Sequence, residues 1–238
     1  MEDRDGVALV RIDRPPANAL DLELLDQGHA VLDDLTAEEP RAVVIVGREG
    51  FFSAGVDLKV APTLDADGQR AMVAGINRLF AGWYGFPRPV VCAVNGHAIA
   101  GGLILALCGD HRVGATEGRL GLTELRAGIP YPAVAMAVVR AELSPAVARQ
   151  LVLGARLIDP VQAHAWRVVD ELAAADEVLP RALAVAAELG ALPVRAYATI
   201  KRQLRGDVLE SALARPEGLS ADWLDEESAG AAGSILRR

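Results

Sequence analysis

Small residues crowd one point of this chain, Ala100-Gly101-Gly102, just after the apolar run Val90–Val94 and an Asn95-Gly96 turn. The run is short and β-branched enough to be a buried strand, and the small residues would open a helix reaching about Cys108. The first turn of a helix leaves N–H groups without partners, aimed outward and biased toward negative charge. Residues with little side chain let a ligand approach those groups closely. This arrangement suits an oxygen that becomes an anion during a reaction. The same residues also suit tight packing of a helix on a sheet.

The pattern has an echo. Ala42–Val46 and Val90–Val94 are both all-apolar runs, and each leads through a turn to an Ala-Gly pair, Ala54-Gly55 and Ala100-Gly101. Strand–turn–helix units that repeat in this way stack, bringing equivalent backbone ends together, so that two N–H groups could converge on one point. Chance recurrence between two Val/Ala-rich segments is the alternative.

Other chemistries find little support. Gly96 to Gly102 has the glycine spacing of a phosphate-binding loop but lacks its lysine, and Leu103 stands in the Ser/Thr place, which excludes nucleotide hydrolysis. Ser53 has no base evident in the sequence. His29, His111 and His164 lack metal-ligand spacing, and His97, after the Asn-Gly turn, could face the site or serve packing. Cys92 and Cys108 sit in apolar surroundings and read as buried free thiols of a reducing compartment. No metal or separate cofactor is implied.

The 238 residues are 52% hydrophobic but only 4% aromatic, which predicts an aliphatic, alanine-rich core. A net charge of −8 without any basic cluster argues against nucleic acid, so an anionic ligand would need local Lys or Arg groups. The amino terminus lacks the order of a signal peptide and no apolar run could span a bilayer. The expectation is a soluble cytoplasmic protein with no membrane partner.

The elements that must position the small-residue turns follow from patterning. Gly6–Asp13 reads as a strand stopped by Arg14-Pro15-Pro16, and Asp21–Leu35 as a helix capped by Asp21. Ala42–Val46 is a strand, Gly47–Lys59 a loop, Ala61–Gly68 turn-rich and mobile, and Gln69–Phe86 a helix. Beyond the central stretch come a strand at His111–Ala115 and a loop with a helical turn over Leu120–Ile129. Helices follow at Ala133–Glu142, at Pro145–Leu153 with Ser144 as cap, and from Asp159-Pro160. A last strand is predicted at Val168–Glu171, and the chain from about Val178 onward is helical by composition. Asp57 reads as a helix-capping residue without a chemical role.

In this order and spacing, Arg14-Pro15-Pro16-Ala17-Asn18-Ala19-Leu20, Phe52 through Lys59, Asn95-Gly96 through Asp110, and Gly121-Leu122-Thr123-Glu124 resemble the enoyl-CoA hydratase/isomerase (crotonase) superfamily over nearly the whole chain. The resemblance implies an α/β fold, a spiral of β-β-α units over residues 1–190. A C-terminal helical region, 191–238, would assemble homotrimers, often paired into hexamers. The implied ligand is an acyl-CoA thioester, coenzyme A being part of the substrate. The N–H groups of Val56 and Gly101 would hold the thioester oxygen. Ala54 and Lys59 match positions that contact the CoA nucleotide, Lys59 facing phosphate unless it is only a solvated surface lysine. Arg237 is a further phosphate candidate on a looser alignment.

Hydratases of that family use two glutamates. This chain has Ile104 where the first would stand, beside the acyl group, and Glu124 at the second. Hydration needs a water held and deprotonated while a proton reaches the α-carbon, and isoleucine can do neither. General acid–base help is worth roughly 10²–10⁴ in rate. Moving a double bond needs one carboxylate. The pattern is therefore similar to single-glutamate 3-enoyl-CoA isomerases, with a weak hydratase or a non-catalytic acyl-CoA binder as alternatives. The apolar Ile104 should raise the pKa of Glu124 by desolvation, unless Glu124 is a surface or capping carboxylate. Gly128-Ile129-Pro130-Tyr131-Pro132 replaces the glycine-rich turn of typical hydratases, and Tyr131 could line the acyl pocket or fill the core.

Overall fold

The computed structural model describes residues 1–214 together with 223–225, 228, 230 and 231. Its elements, in order, are β1 (Glu2–Arg4), β2 (Val7–Arg11), α1 (Leu22–Glu38), β3 (Ala42–Val46), β4 (Gly50–Ser53), α2 (Ala66–Tyr84), β5 (Val90–Val94), β6 (Gly96–Ile99) and α3 (Gly101–Leu107). They continue as β7 (His111–Ala115), β8 (Leu120–Gly121), α4 (Ala133–Glu142), α5 (Pro145–Val152), β9 (Leu157–Ile158), α6 (Pro160–Ala165), β10 (Glu171–Ala173), α7 (Val178–Gly190) and α8 (Val194–Leu213).

The strands deal themselves alternately into two sheets. β3, β5 and β7 run parallel as neighbours in a six-stranded sheet of order β1-β2-β3-β5-β7-β10, while β4, β6 and β8 run parallel in a four-stranded sheet closed by β9. Each repeat thus contributes one strand to each sheet before turning into helical structure. The result is a spiral whose successive turns stack.

Burial explains the strands of the larger sheet. Val43 and Ile45 of β3 face the main core, whereas Ala42, Val44 and Val46 pack on a second core with Val178, Ala182, Val185 and Ala186 of α7. A strand covered on both faces reads as an unbroken apolar run rather than an alternation. Each fully buried Val or Ile contributes roughly 1.5–3 kcal/mol relative to exposure.

Several boundaries differ from the sequence reading. The segment predicted as a loop over Gly47–Lys59 contains β4, and the Asn95-Gly96 turn opens directly into β6. These four-residue strands begin with glycine and are too short to show a period. The helix predicted from Gln69 starts at Ala66, because Asp65 caps it by accepting from the Gly68 N–H at 2.8 Å. The last strand forms at Glu171–Ala173 rather than Val168–Glu171, since Val168 and Val169 are core residues packed before the ladder begins. Asp21, Ser144 and Asp159 cap α1, α5 and α6 as expected. The predicted helical turn falls at Glu124–Ala127 as a single 3₁₀ turn.

Among the described residues no single helix is long and apolar enough to cross a membrane; α7 and α8 pass that test only as a pair bent by 103°.

Candidate active site

The stacked turns bring the two Ala-Gly pairs into contact. A Cβ added at Gly55 would lie 2.7 Å from the Gly101 nitrogen, and one at Gly102 would strike the Ser53 carbonyl, so both positions require glycine. The layers are pinned in series: Leu20 N–H donates to the Gly55 carbonyl at 2.7 Å, and Ala100 N–H donates to the Gly121 carbonyl at 2.8 Å. Ser53 is structural, its hydroxyl donating to the Asn18 carbonyl at 2.8 Å and accepting from the Gly55 N–H at 3.1 Å.

What these contacts leave free matters most. Among the described residues, neither the Val56 N–H nor the Gly101 N–H donates to any protein acceptor. Ala100, the residue before α3, holds φ 53° and ψ −128°. An alanine there is strained, and such strain persists where the surroundings over-determine the backbone. It turns the following peptide so that Gly101 opens the helix at the edge of a cavity.

That cavity measures about 520 Å³ and is mostly apolar. Its lining includes Ala54, Val56, Lys59, Gly101, Ile104 and Glu124, six of the residues singled out from the sequence. Tyr131 is not among the lining residues; it stands behind Glu124, on the wall of a separate cavity between α4 and α8. Arg237 lies outside the described residues.

Glu124 opens its 3₁₀ turn with only 8% of its surface exposed. Burial, the largest cause, raises its pKa from the ordinary carboxylate value to about 7, while a hydrogen bond from the Tyr131 hydroxyl pulls the other way. That bond runs from Tyr131 Oη to Glu124 Oε2 at 2.7 Å. Near neutral pH this carboxyl can both accept and return a proton. Ile104, on α3, is 2% exposed and lines the same cavity.

A second carboxylate, Asp57, also lines the cavity, but both its oxygens are engaged. Arg14 Nη1 donates to Oδ2 at 3.3 Å and the Lys59 N–H donates to Oδ1 at 2.9 Å. Asp57 therefore shapes a local turn and is not the helix cap expected from the sequence: the 3₁₀ turn that follows, Ala61–Thr63, has Val60 at its N-cap and no side-chain cap bond. Arg14 is further paired with Asp21, which leaves Lys59 as an exposed cation on the lining without a carboxylate partner among the described residues. His97 stacks on Phe51, with ring centroids 4.7 Å apart, and does not line the cavity.

Sequence reasoning missed three supports. Asn18 is fully buried and its Nδ2 donates to the carbonyls of Ile12, Phe51 and Phe52, tying the Pro-rich loop to β4. Its place within the Arg14–Leu20 motif was the available signal. Phe80 of α2 lines the cavity from an ordinary apolar helix face. Trp223 lines it too and donates from Nε1 to the Pro130 carbonyl at 3.0 Å. Nothing around Trp223 in the sequence marked it.

Comparison with known proteins decides the family. A family model described as enoyl-CoA hydratase/isomerase matches residues 2–226. The chain belongs to the enoyl-CoA hydratase/isomerase family. A relative from Mycobacterium tuberculosis, named a probable enoyl-CoA hydratase, is 33% identical over 220 residues, covering 91% of this chain and 82% of the relative. A carnitinyl-CoA dehydratase of Salmonella enteritidis is 33% identical over 208 residues, 85% of this chain and 78% of the relative. Among solved structures, an enoyl-CoA isomerase from M. tuberculosis is 30% identical with a TM-score of 0.86, over 93% of this chain and 96% of that one. The human mitochondrial Δ3-Δ2-enoyl-CoA isomerase gives a TM-score of 0.91 over 98% of this chain and 93% of its own, at 24% identity, a likeness of fold alone. The family's spiral of β-β-α units is the observed fold. Hydratase and isomerase names both occur among its relatives.

Proposed function

We propose that this family member is a 3-enoyl-CoA isomerase, shifting a double bond from C3 to C2 of an acyl-CoA thioester. The observation that carries this reading is one buried carboxylate with a raised pKa, Glu124, in a cavity where Ile104 stands in place of a second acid. The thioester oxygen accepts hydrogen bonds from the Val56 and Gly101 N–H groups. Ionised Glu124 takes a proton from C2, and the C–H electron pair becomes the C1–C2 double bond of a dienolate whose charge rests on that oxygen. As the carbonyl re-forms, electrons shift to C2–C3 and C4 receives the proton from Glu124. Nothing is added or lost. Removing one donor of this type costs about 10²–10³ in rate, so two unpaired N–H groups supply a large part of the catalysis.

The coenzyme A moiety is read as lying over Ala54, with its phosphates toward Lys59. The exposed apolar side chains Leu192, Val194, Ile200 and Leu204 near the C-terminal end support a homotrimer, which light scattering on the purified protein would test.

Hydratase is the second reading, favoured by the names of several relatives. The deciding experiment incubates the protein with 3-enoyl-CoA and, separately, with 2-enoyl-CoA in water. Conjugated 2-enoyl thioester forms from the first substrate under the isomerase reading, and Glu124→Gln abolishes it. Hydration that outpaces isomerisation makes the protein a hydratase. Binding of acyl-CoA with no turnover of either makes it a binder.

A further inference from the structure

The loop that carries Glu124 is fastened at unusual density. The Ile129 N–H donates back to the Glu124 carbonyl at 3.0 Å, closing the turn on itself. Tyr131 then sits between two prolines: Pro130, whose carbonyl is held by Trp223, and Pro132, which begins α4. Proline fixes φ and removes a backbone donor, so the phenol stands on a stiff base. Its hydroxyl reaches Glu124 Oε2 at 2.7 Å. Among the described residues no other side chain donates to Glu124; the backbone N–H groups of Glu124 and Thr123 lend its carboxylate further, lesser support.

We propose that Tyr131 is the positioning residue of this site: its phenol clamps Oε2, so that the carboxylate presents Oε1 to the substrate carbons in one orientation. The assignment rests on reading Glu124 as the base. A short hydrogen bond to a carboxylate is among the stronger neutral-donor contacts, and here it replaces the rotamer freedom of a side chain that must serve both C2 and C4. Tyr131 remains a donor throughout the working range, because burial and the neighbouring Glu124 carboxylate both push its own pKa upward. The other charged groups lining the cavity, Arg14, Asp57 and Lys59, belong to the loops before α1 and after β4 and contribute nothing to the Glu124 shift.

A merely space-filling tyrosine predicts that Tyr131→Phe changes little beyond stability. A positioning tyrosine predicts two changes together. With 3-enoyl-CoA, kcat falls on the order of tenfold while KM stays within about twofold, because a hydrogen bond to a charged group is lost without loss of binding surface. The titration midpoint of Glu124, followed by infrared difference spectra of its ¹³C-labelled carboxyl against Glu124→Gln, moves up by about one pH unit, since the lost bond favoured the ionised form. Monofluorotyrosine at position 131, a more acidic donor of nearly the same shape, moves the midpoint down and serves as the second variant should the phenylalanine form fold poorly. An unchanged midpoint in both variants overturns the proposal. The infrared readout needs no turnover, so wild-type protein that fails to isomerise 3-enoyl-CoA defeats the functional reading while leaving the clamp to be judged by its own titration.

Discussion

Glu124 and Asp110 are both carboxylates drawn into the molecule, yet their surroundings differ in nearly every respect. Asp110, at the turn from α3 into β7, accepts from the Val90 N–H at 2.8 Å, from Lys201 Nζ at 2.7 Å, and pairs with Arg205 Nη1 at 3.0 Å. Arg205 also donates to the carbonyls of Tyr84, Cys108 and Gly109, lies over the Tyr84 ring and pairs with Glu142, which itself reaches Arg112 and through it Asp170. Among the described residues Glu124 has a single side-chain partner, a neutral one, with backbone N–H support and an apolar cavity. The first group is saturated and locks α8 to the core. The second is deliberately short of partners, and the shortfall is what raises its pKa into the range where a proton can be taken and given back.

The sharpest way to break this contrast is to remove a partner from the saturated cluster. Asp110→Asn leaves Lys201, whose side chain is 5% exposed, as a buried cation with its carboxylate gone, and Arg205, 7% exposed, with Glu142 alone. Burial already lowers the Lys201 pKa, with Asp110 the chief opposing influence. Breaking a buried pair from one side costs about 3–5 kcal/mol. Urea unfolding should show that loss, while the fraction that remains folded keeps its kcat/KM. A variant that loses activity but not stability would place the cluster in the catalytic machinery instead.

The opposite expectation holds for Glu124→Gln, which should be inactive and yet more stable at alkaline pH. A carboxyl with its folded-state pKa raised above the unfolded value stabilises the fold fully only below that unfolded value, and the contribution is lost as pH rises through about 7. With this pKa raised from the ordinary carboxylate range to about 7, wild type should lose on the order of 3 kcal/mol between pH 4 and pH 8 that the glutamine form keeps. Melting curves across that range check the sign. Parallel pH profiles of the two proteins would mean that Glu124 is solvated in solution. For wild type, kcat/KM should climb with pH up to about 7 and level off above it.

The contrast also explains how much could be seen in advance. Stacked turns were legible because strands covered on both faces leave continuous apolar runs such as Ala42–Val46 and because glycines such as Gly55 and Gly102 are demanded by backbone contact, while the spiral itself came with the family resemblance. Glu124 and Ile104 were legible only through the resemblance to the family's motifs. The partner of Glu124 was not, since Tyr131 meets it across a folded-back turn that has no sequence period, and Asn18 and Trp223 act through tertiary contacts alone. The ion cluster escaped for the same reason: Asp110 and Lys201 are joined over 91 positions, and nothing local to either announces the other.

Adding an acid where the cavity lacks one sharpens the comparison further. Ile104→Glu should confer measurable hydration of 2-enoyl-CoA, because a second carboxylate could hold the attacking water. It should also destabilise the protein by roughly 1–3 kcal/mol at neutral pH, the site being 2% exposed. Loss of stability with no hydratase activity would mean that position 104 does not face the same carbon as Glu124.

Lys59 provides the smallest test and a third kind of charge. It is exposed, lines the mouth of the cavity and has no carboxylate partner among the described residues, so water already solvates it in the free protein. An exposed ion pair contributes about 0.2–1 kcal/mol and is screened by salt. Lys59→Ala should therefore raise KM for an acyl-CoA only about two- to fivefold at low ionic strength, leave kcat unchanged, and match wild type once salt is high. Arg14 cannot substitute for it without abandoning Asp21 and Asp57. An equal KM at low salt would move the phosphates away from this loop, whereas a fall in kcat would mean that the Lys59 side chain also holds the loop that sets the Val56 N–H, the alanine form keeping the backbone N–H that closes the Asp57 turn. The salt series separates those outcomes, since screening weakens a charge contact and leaves a misplaced backbone donor as it is.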